Sequence, residues 1–586
     1  MVNLQLLLMC LERMIYVSYN ELYNLWLQNV KDGNILSELK NICNDDSEIY
    51  ERFYKDLEFG TAGLRGIIGA GTNRMNIYTV RRTTQGLADY LNENYKEASV
   101  AIAYDSRNKS DLFAKESACV LAANDIKAYI TKELQPTPVL SFAVRNLGCK
   151  SGIMITASHN PAKYNGYKCY GDDGCQMTEH AANNVYSKIQ KVDIFSGVKT
   201  LTFEEGIKIG KIVYIEDDLY NRYLENVMAQ SINKDVCKES ELKVVYTPLN
   251  GAGNKLVRKV LSNIGVKNVQ VVKEQEYPDG NFPTCTYPNP EFKEALSLAL
   301  DLAKNVNADL VLATDPDSDR VGIAVKESDS YRLLSGNEVG IILLNYILSN
   351  RKSLGTLPNN PVAVKTIVSS KMIDVIAKAY KCELRDVLTG FKYIGEQILN
   401  LEKDGEENRF IFGFEESYGY LVGTYVRDKD AVVASMLICE MAEYYRKQGK
   451  TLSDVINELY NEYGFYQNTT LSYNFEGSAG MEKMQKIMDS LRNEHLTNIA
   501  SMKVEKINDY KESTSIDKRT GNIDKIDLPK SNVISYELEG GSGAIVRPSG
   551  TEPKIKIYVT AVGKNIEESK AKTKDIISDM ERILNL

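Results

Sequence analysis

The order of apolar and polar segments predicts an α/β protein of several layered domains. Short β-branched and apolar runs alternate with longer stretches of helical spacing from about residue 99 onward, the pattern of parallel sheets covered by helices. The runs stop at loops rich in Gly, Pro, Ser, Thr or Asp, which is where α/β sheets bind ligands. A length of 586 residues exceeds what one hydrophobic core can organise and fits roughly three to five domains.

Composition narrows the class. With 43% hydrophobic and 26% charged residues and a mean hydropathy of -0.30, there is apolar material for several cores and no case for disorder. A net charge of -8 and a pI near 5.4 argue against a general binder of nucleic acid or anionic membrane. An anionic small substrate is still allowed where basic side chains converge. Ten cysteines without a CxxC, and only His159, His180 and His495 as histidines, exclude a clustered zinc site and indicate reduced thiols. The apolar run Leu4 to Met9 lacks the basic flank and cleavage site of a signal peptide, and Met14 is an alternative start. No apolar run reaches the roughly 18 residues that span a bilayer. A cytoplasmic protein is expected.

Taken in order, residues 16–58 have helical spacing. Phe59-Gly-Thr-Ala-Gly-Leu-Arg-Gly66 then breaks it with a glycine-rich loop that lets backbone amides approach an anion, with Arg65 supplying charge. Ser99 to Tyr104 reads as a strand ending at Asp105-Ser106-Arg107, followed by a helix from about Asp111 and a strand near Ile126–Ile130. Ile153-Met154-Ile155 is a buried strand that stops at Thr156-Ala-Ser-His-Asn-Pro161, a turn presenting the Ser158 hydroxyl with His159 beside it. A second unit has a strand over 242–248, a helix over about 254–263 and a strand over 269–272. A helix over about 291–305 and a strand from Ala308 to Ala313 complete it, opening onto Thr314-Asp-Pro-Asp-Ser-Asp-Arg320. A third runs from the strand Pro361–Thr366 through Thr389-Gly-Phe-Lys392 to the strand Arg409–Phe414, the loop Glu415-Glu416-Ser417 and a helix over about 430–447. The last segment starts near 465 and holds a polar stretch, about 508–529, read as an exposed loop. It continues through Arg547-Pro-Ser-Gly-Thr-Glu-Pro553 and an alternating strand to a helix over about 565–584. No repeat is visible in the letters.

Asp315, Asp317 and Asp319 are three carboxylates in five residues; they repel one another unless a cation lies among them. Oxygen-only ligands favour Mg²⁺ over Zn²⁺. Arg547, Ser549, Gly550 and Thr551 make a compact phosphate clamp of guanidinium, hydroxyls and exposed backbone. Glu415, Glu416 and Ser417 suit sugar hydroxyls. No Gly-x-Ser-x-Gly elbow surrounds Ser158, and His159 is poorly placed to act as base for its own neighbour, so an acyl hydrolase is set aside. Metal, hydroxyl and separate phosphate clamp together point to phosphoryl transfer.

Five stretches, in order, resemble the motifs of the α-D-phosphohexomutases: Phe59–Gly66, Thr156–Pro161, Asp315–Arg320, Gly413–Ser417 and Arg547–Pro553. The likeness is strongest to the long bacterial phosphoglucomutase branch. It implies four domains around a central cleft, three mixed α/β and a smaller C-terminal α+β domain, with expected boundaries 1–205, 206–328, 329–464 and 465–586. It also implies that Ser158 carries a phosphoryl group and that Mg²⁺ is held by Ser158, Asp315, Asp317 and Asp319. Arg65, His159, Lys168 and Arg320 would lie by the phosphoserine, Lys392, Glu415 and Ser417 by the sugar, and Arg547, Ser549, Gly550 and Thr551 on the phosphate not being transferred. Lys168, His159 and Lys392 are the acid–base candidates. The expected reaction interconverts glucose 1-phosphate and glucose 6-phosphate, with glucose 1,6-bisphosphate as intermediate and activator and no obligate protein partner. Phosphopentomutase and phosphomannomutase are the alternatives within the family. A haloacid-dehalogenase-like phosphatase using Asp315 is the alternative outside it, although it leaves Ser158 and Arg547 without roles. The cleft is expected to be locally basic through Arg65, Lys168, Arg320, Lys392, Arg427, Arg547 and Lys554. Asn250 stands where related long mutases commonly have histidine, which bears on local packing or cleft lining.

Overall fold

The computed structural model describes residues 18–60, 63–475, 477–548 and 554–586. The run Leu4 to Met9, Met14, and the expected clamp residues Ser549, Gly550 and Thr551 lie outside the described residues.

The chain begins with helices Tyr19–Asn29, Gly33–Asn41 and Asp46–Phe53. Ser18 and Glu21 close the first by a reciprocal capping box, each side chain accepting from the other's backbone N–H. Trp26, fully buried, meets Phe53, Tyr78 and Phe195 edge-on and so fastens these helices to the first domain.

That domain is a six-stranded sheet of Gly63–Ile67 (β1), Ser99–Tyr104 (β2), Lys127–Ile130 (β3), Ser151–Ile155 (β4), Tyr164–Tyr170 (β5) and Ile212–Tyr214 (β6), in the order β1-β5-β4-β2-β3-β6. Strands β2, β3, β4 and β6 are parallel, and β5 pairs antiparallel with both β4 and β1. Every residue of β4 is buried, as a central parallel strand covered on both faces requires. The second domain has Val244–Thr247 (β7), Val269–Val271 (β8), Leu310–Thr314 (β9), Val321–Glu327 (β10) and Ser330–Leu334 (β11), ordered β11-β10-β9-β7-β8. The third has Val362–Thr366 (β12), Glu383–Val387 (β13), Phe410–Glu415 (β14) and Gly419–Leu421 (β15), ordered β13-β12-β14-β15.

Two strands fall outside the expected boundaries. β6 lies beyond residue 205 yet pairs with β3, and β11 lies beyond 328 yet pairs with β10, because sheet membership is decided by pairing partners distant in sequence.

The sheets are mixed rather than purely parallel, for one shared reason. In each of the three, the innermost functional strand turns straight back on itself: β4 into β5, β9 into β10, β14 into β15. Each of these connections holds a non-glycine residue in the left-handed region, Ser158 (φ 52°), Ser318 (φ 49°) and Tyr418 (φ 68°).

The fourth domain is an antiparallel sheet of Phe465–Asn474 (β16), Asn498–Ile499 (β17), Met502–Asp509 (β18), Thr514–Asp517 (β19), Ile523–Lys525 (β20), Ile534–Leu538 (β21), Gly543–Pro548 (β22) and Lys554–Gly563 (β23). Helices Gly477–Glu494 and Ile566–Leu584 flank it. The polar stretch 508–529, expected as a loop, is instead largely the hairpin β19–β20, extending the sheet from β18. Its polar residues gave no alternating apolar signal because neither side of this hairpin is a core face. Just beyond it, Ile526 and Leu528 join a small cluster of Leu388, Tyr510 and Val533 between the third and fourth domains.

One continuous apolar core runs through the first three domains, from Val139 and Tyr223 through Val244 and Leu344 to Val433. The fourth domain has its own core, so it is the unit most free to move against the others.

Candidate active site

The Ser158 loop is built from inside. Thr156 Oγ1 donates to Asp105 Oδ2 (2.6 Å), and the Ser158 N–H donates to Thr156 Oγ1 (2.8 Å). Arg107 lies beneath the loop, donating to the carbonyls of Ser158 (2.5 Å), Pro161 and Tyr164 (both 3.0 Å) and Asn160. Five main-chain and carboxylate partners thus fix a turn that would otherwise be a soft surface loop. The Ser158 hydroxyl, 3% exposed, donates to Asp315 Oδ2 at 2.9 Å and lies 3.1 Å from His159 Nδ1. Burial, with Arg320 and Arg65 nearby, holds the His159 pKa well below the usual imidazole value, so the ring is neutral.

Asp315, Asp317 and Asp319 converge as the sequence suggests, one carboxylate oxygen from each lying within 4.8 Å of the others. The loop curls because Asp315 Oδ1 accepts from the N–H groups of Asp319 (3.1 Å) and Arg320 (3.0 Å). It is braced by the second-domain turn, where a Cβ on Gly251 would stand 2.5 Å from Pro316 Cα. Asn250 belongs to this brace: at φ 56° it donates its amide to the carbonyls of Glu274 and Tyr277, a packing role away from the carboxylates.

Thr137, at the start of a first-domain helix, donates its backbone N–H to Asp317 O (2.8 Å) and its hydroxyl to Asp317 Oδ2 (2.9 Å). Lys168 Nζ reaches Asp317 Oδ2 (2.9 Å) and Asp319 Oδ2 (3.7 Å), and Lys429 from the third domain reaches Asp319 Oδ2 (3.0 Å). Asp317 Oδ1 has no hydrogen-bond donor among the described residues.

Burial and the charges of Asp317 and Asp319 hold the Asp315 carboxyl well above the usual carboxylate range. Asp317 is shifted down because Lys168 outweighs its burial. Three buried carboxylates cannot all ionise side by side on these lysines alone, and the oxygen-only donor set with an orphaned buried oxygen fits a hard divalent cation.

Lys168 itself is buried; burial works against its charge, but Asp317 and Asp319 raise its pKa and keep it protonated. Arg65, on β1, places Nη1 3.5 Å from Asn160 Oδ1, and Arg320 Nε stands 3.8 Å from Asp319 Oδ1.

Across the cleft, the β14–β15 loop is tied to the carboxylate loop by the Val321 N–H donating to Tyr418 O (3.1 Å), which aligns Glu415 and Ser417 with the second domain. Lys392 is buried, lies 4.8 Å from the Tyr393 ring centre and has no hydrogen-bond partner for Nζ among the described residues; burial lowers its pKa. Arg547 is the penultimate residue of β22, close enough to Tyr393 for its charge to be felt there.

Arg427 departs from expectation. It is buried in the joint between the first and third domains, where it donates to the carbonyl of Thr424 and to Glu402 Oε2 (2.8 Å), itself paired with Arg145 (2.8 Å). Lys429 supplies the charge expected of Arg427. Sequence reasoning passed over Lys429, Arg107 and Thr137; only the strand-ending position of Asp105-Ser106-Arg107 hinted at one of them.

Comparison with known proteins follows the same geography. Residues 56–194, 221–328 and 335–463 match the three alpha/beta/alpha domains, I, II and III, of Phosphoglucomutase/phosphomannomutase. A Phosphoglucomutase of Staphylococcus saprophyticus is 38% identical over 547 residues, covering 93% of this chain and 97% of that protein. A Phosphoglucomutase of Staphylococcus aureus is 37% identical over 555 residues, covering 93% and 96%. Among solved structures, the open form of parafusin from Paramecium aligns with a TM-score of 0.68 at 18% identity, covering 91% of this chain and 95% of that one. A Phosphoglucomutase/phosphomannomutase family protein of Burkholderia thailandensis aligns with a TM-score of 0.64 at 19% identity, covering 90% and 96%. Among the described residues, no helix is long and apolar enough to cross a membrane.

Proposed function

Because this chain belongs to the phosphoglucomutase/phosphomannomutase family, we propose that it interconverts glucose 1-phosphate and glucose 6-phosphate through a phosphoserine at Ser158. The observation that carries the reading is the Ser158 Oγ to Asp315 hydrogen bond, which joins a hydroxyl from one domain to a three-carboxylate cradle from another.

The two ends of a hexose cannot both reach one fixed site, so transfer needs a carrier. Phosphorylated Ser158 donates to the sugar hydroxyl: its Oγ–P bond breaks as the sugar O–P bond forms, and the hydroxyl proton passes to a base. The bisphosphate, glucose 1,6-bisphosphate, then turns end for end and returns its other phosphoryl group to Ser158. Asp315, Asp317, Asp319 and the phosphorylated Ser158 would hold Mg²⁺. When bound, Mg²⁺ supplies positive charge to the oxygens that gain negative charge during transfer.

Arg107 and Thr156 hold the carrier loop still, which is the positioning on which phosphoryl transfer depends. In this reading Lys168 and Arg320 would take equatorial phosphoryl oxygens, Glu415 and Ser417 sugar hydroxyls, and Arg547 with Ser549, Gly550 and Thr551 the phosphate at rest. Of the base candidates, His159 is already neutral, Lys392 is eased toward neutrality by burial, and Lys168 can accept a proton only after Asp317 and Asp319 turn to another cation. The protein works in the cytoplasm on soluble sugar phosphates without an obligate protein partner.

A phosphatase using Asp315 as nucleophile fits poorly, since that carboxylate already accepts from Ser158 and two backbone amides. Mapping the covalent phosphate separates the two readings. An acid-stable ester on Ser158, lost with all turnover in Ser158→Ala, is expected; a hydroxylamine-labile acyl phosphate would overturn the mutase. Initial rates with glucose, mannose, ribose and deoxyribose 1-phosphates, each with its matching bisphosphate, are expected to be highest for glucose.

A further inference from the structure

The fourth-domain sheet uses its two faces differently. Ile555, Ile557 and Val559 of β23 and Val546 of β22 are buried in that domain's own core. The two-residue period puts Lys556, Tyr558 and Thr560 on the opposite face, and the register sets Arg547 directly across from Lys556.

That face meets the third domain through polar contacts. Thr560 Oγ1 donates to Asn468 Oδ1 (3.0 Å), and Asn468 Nδ2 donates to Ser370 Oγ (3.1 Å). Ser370 closes the turn after β12, and Thr366 at the start of that turn donates its hydroxyl to Glu416 Oε2 (3.0 Å). Glu416 lies between Glu415 and Ser417. Its surroundings are Thr366 from β12, Glu415 from its own loop, and Lys556 and Tyr558 from β23. Burial and Glu415 push the Glu416 carboxyl up to about 7, against the pull of Lys556. Lys556 is in turn lowered by burial, with Glu416 opposing. Tyr558 is the diagonal neighbour of Arg547 on this face, and its hydroxyl feels the charges of Arg547 and of both glutamates.

We propose that Lys556 and Tyr558 are positioning residues that join Arg547 to the Glu415–Ser417 loop, so that the resting phosphate and the sugar hydroxyls are gripped as one unit when the fourth domain seats. The inference deepens, and rests on, the reading of Arg547 as the clamp for the resting phosphate. A long guanidinium loses much side-chain freedom on ordering, and Tyr558 removes part of that loss before ligand arrives. Glu416 sits on the far side of the movable joint from Lys556, so their attraction is felt only when the domain is seated.

Full-length Tyr558→Phe, Lys556→Met, Lys556→Arg, Glu416→Gln and Arg547→Ala variants, with the Lys556→Met/Glu416→Gln double variant, test this by glucose 1-phosphate kinetics at saturating glucose 1,6-bisphosphate. Loss of the polar hydroxyl beside the Arg547 guanidinium predicts a KM raised roughly tenfold in Tyr558→Phe, with kcat within about threefold of wild type. Lys556→Met and Glu416→Gln are expected to be non-additive, the double variant being no worse than the more damaged single one, and Lys556→Arg to retain most of the wild-type KM. Independent, multiplying effects of Lys556→Met and Glu416→Gln would overturn the proposal, as would a wild-type KM in Tyr558→Phe beside a damaged Arg547→Ala. A wild-type KM in Arg547→Ala would instead remove the clamp reading on which it stands. Glu416→Gln, nearly isosteric and in a different domain, keeps the test open even if a β23 variant folds badly.

Discussion

Arg107→Met should cost this enzyme most of its turnover although Arg107 touches no reacting atom. The guanidinium serves the carbonyls of Ser158, Asn160, Pro161 and Tyr164, and its Nε lies 3.4 Å from Asp105 Oδ2. Asn160 and Tyr164 are partly exposed, so water can replace the arginine there. Ser158 and Asp105, 3% and 2% exposed, have no such recourse. Two buried partners stripped of a charged donor, at about 1.5–3 kcal/mol each, give a loss of about 3–6 kcal/mol. If that loss is felt as misplacement of Ser158 in the transition state, kcat falls by about two to four orders of magnitude. A coupled assay of glucose 6-phosphate formation reads this directly.

Stability carries a second signature. Burial already raises the Asp105 pKa, with Arg107 opposing, and removing the arginine raises it further. The folded variant then binds more protons than the unfolded chain, so stability is retained at low pH and lost as pH climbs from about 4 toward the folded pKa. The gap in melting temperature between wild type and variant should therefore be smaller at pH 5 than at pH 8. A kcat within about threefold of wild type, or a gap independent of pH, would refute the reasoning.

Two further substitutions probe other parts of the site. In Gly251→Ala, the new Cβ meets Pro316 main-chain atoms at 2.5 and 2.7 Å, neither of which can swing aside. An overpacking cost of about 1–3 kcal/mol predicts a Mg²⁺ activation constant weakened roughly 10- to 100-fold, with kcat at saturating Mg²⁺ near wild type; an unchanged activation constant would show that this turn does not brace the carboxylates. Lys392→Met removes a buried cation with no hydrogen-bond partner among the described residues, so the ligand-free protein should melt higher while KM rises. Because burial lowers the Lys392 pKa, the folded wild type binds fewer protons than the unfolded chain, and its stability should rise with pH from the folded pKa up to about 10.4, a slope the variant lacks. A lower melting temperature in the variant would mean that Lys392 is paired in solution.

What could be read from the letters was the chemistry packed into short windows. Asp315, Asp317 and Asp319 announce themselves because five consecutive residues carry the whole cluster, and Ser158 because a buried strand stops abruptly beside it. Arg107, Thr137 and Lys429 act through approach in space: Thr137 meets Asp317 across 180 positions, and nothing around it marks it as more than a helix start. Lys429 and Arg427 are two positions apart in one polar run, so the sequence offers no reason to send one to Asp319 and the other to Glu402. Their difference is one of helix entry. Ala431 begins the helix Ala431–Arg446 against the carbonyl of Ser318, which delivers Lys429 to the carboxylates and leaves Arg427 behind in the joint. The β19–β20 hairpin was hidden for the opposite reason: it is real secondary structure without an apolar face.

The three hairpin loops explain why no repeat is visible in the letters although the backbone repeats. A strand that leaves a parallel sheet and returns antiparallel beside itself needs a tight reversal, and here each reversal passes through a left-handed residue. Glycine would satisfy that demand at least cost, yet the positions hold Ser158, Ser318 and Tyr418. The constraint is on backbone handedness, so side chains remained free to diverge. At Ser158 the left-handed turn aims a hydroxyl at Asp315; at Ser318 it gathers three carboxylates; at Tyr418 it turns a carbonyl to the Val321 N–H and aligns Glu415. Strain of order 1–3 kcal/mol at each is sustained because the surrounding hydrogen bonds over-determine the loop. The same backbone device, used three times at the ends of three central strands, is what brings the Ser158 hydroxyl, the three carboxylates and the Glu415–Ser417 loop to one cleft.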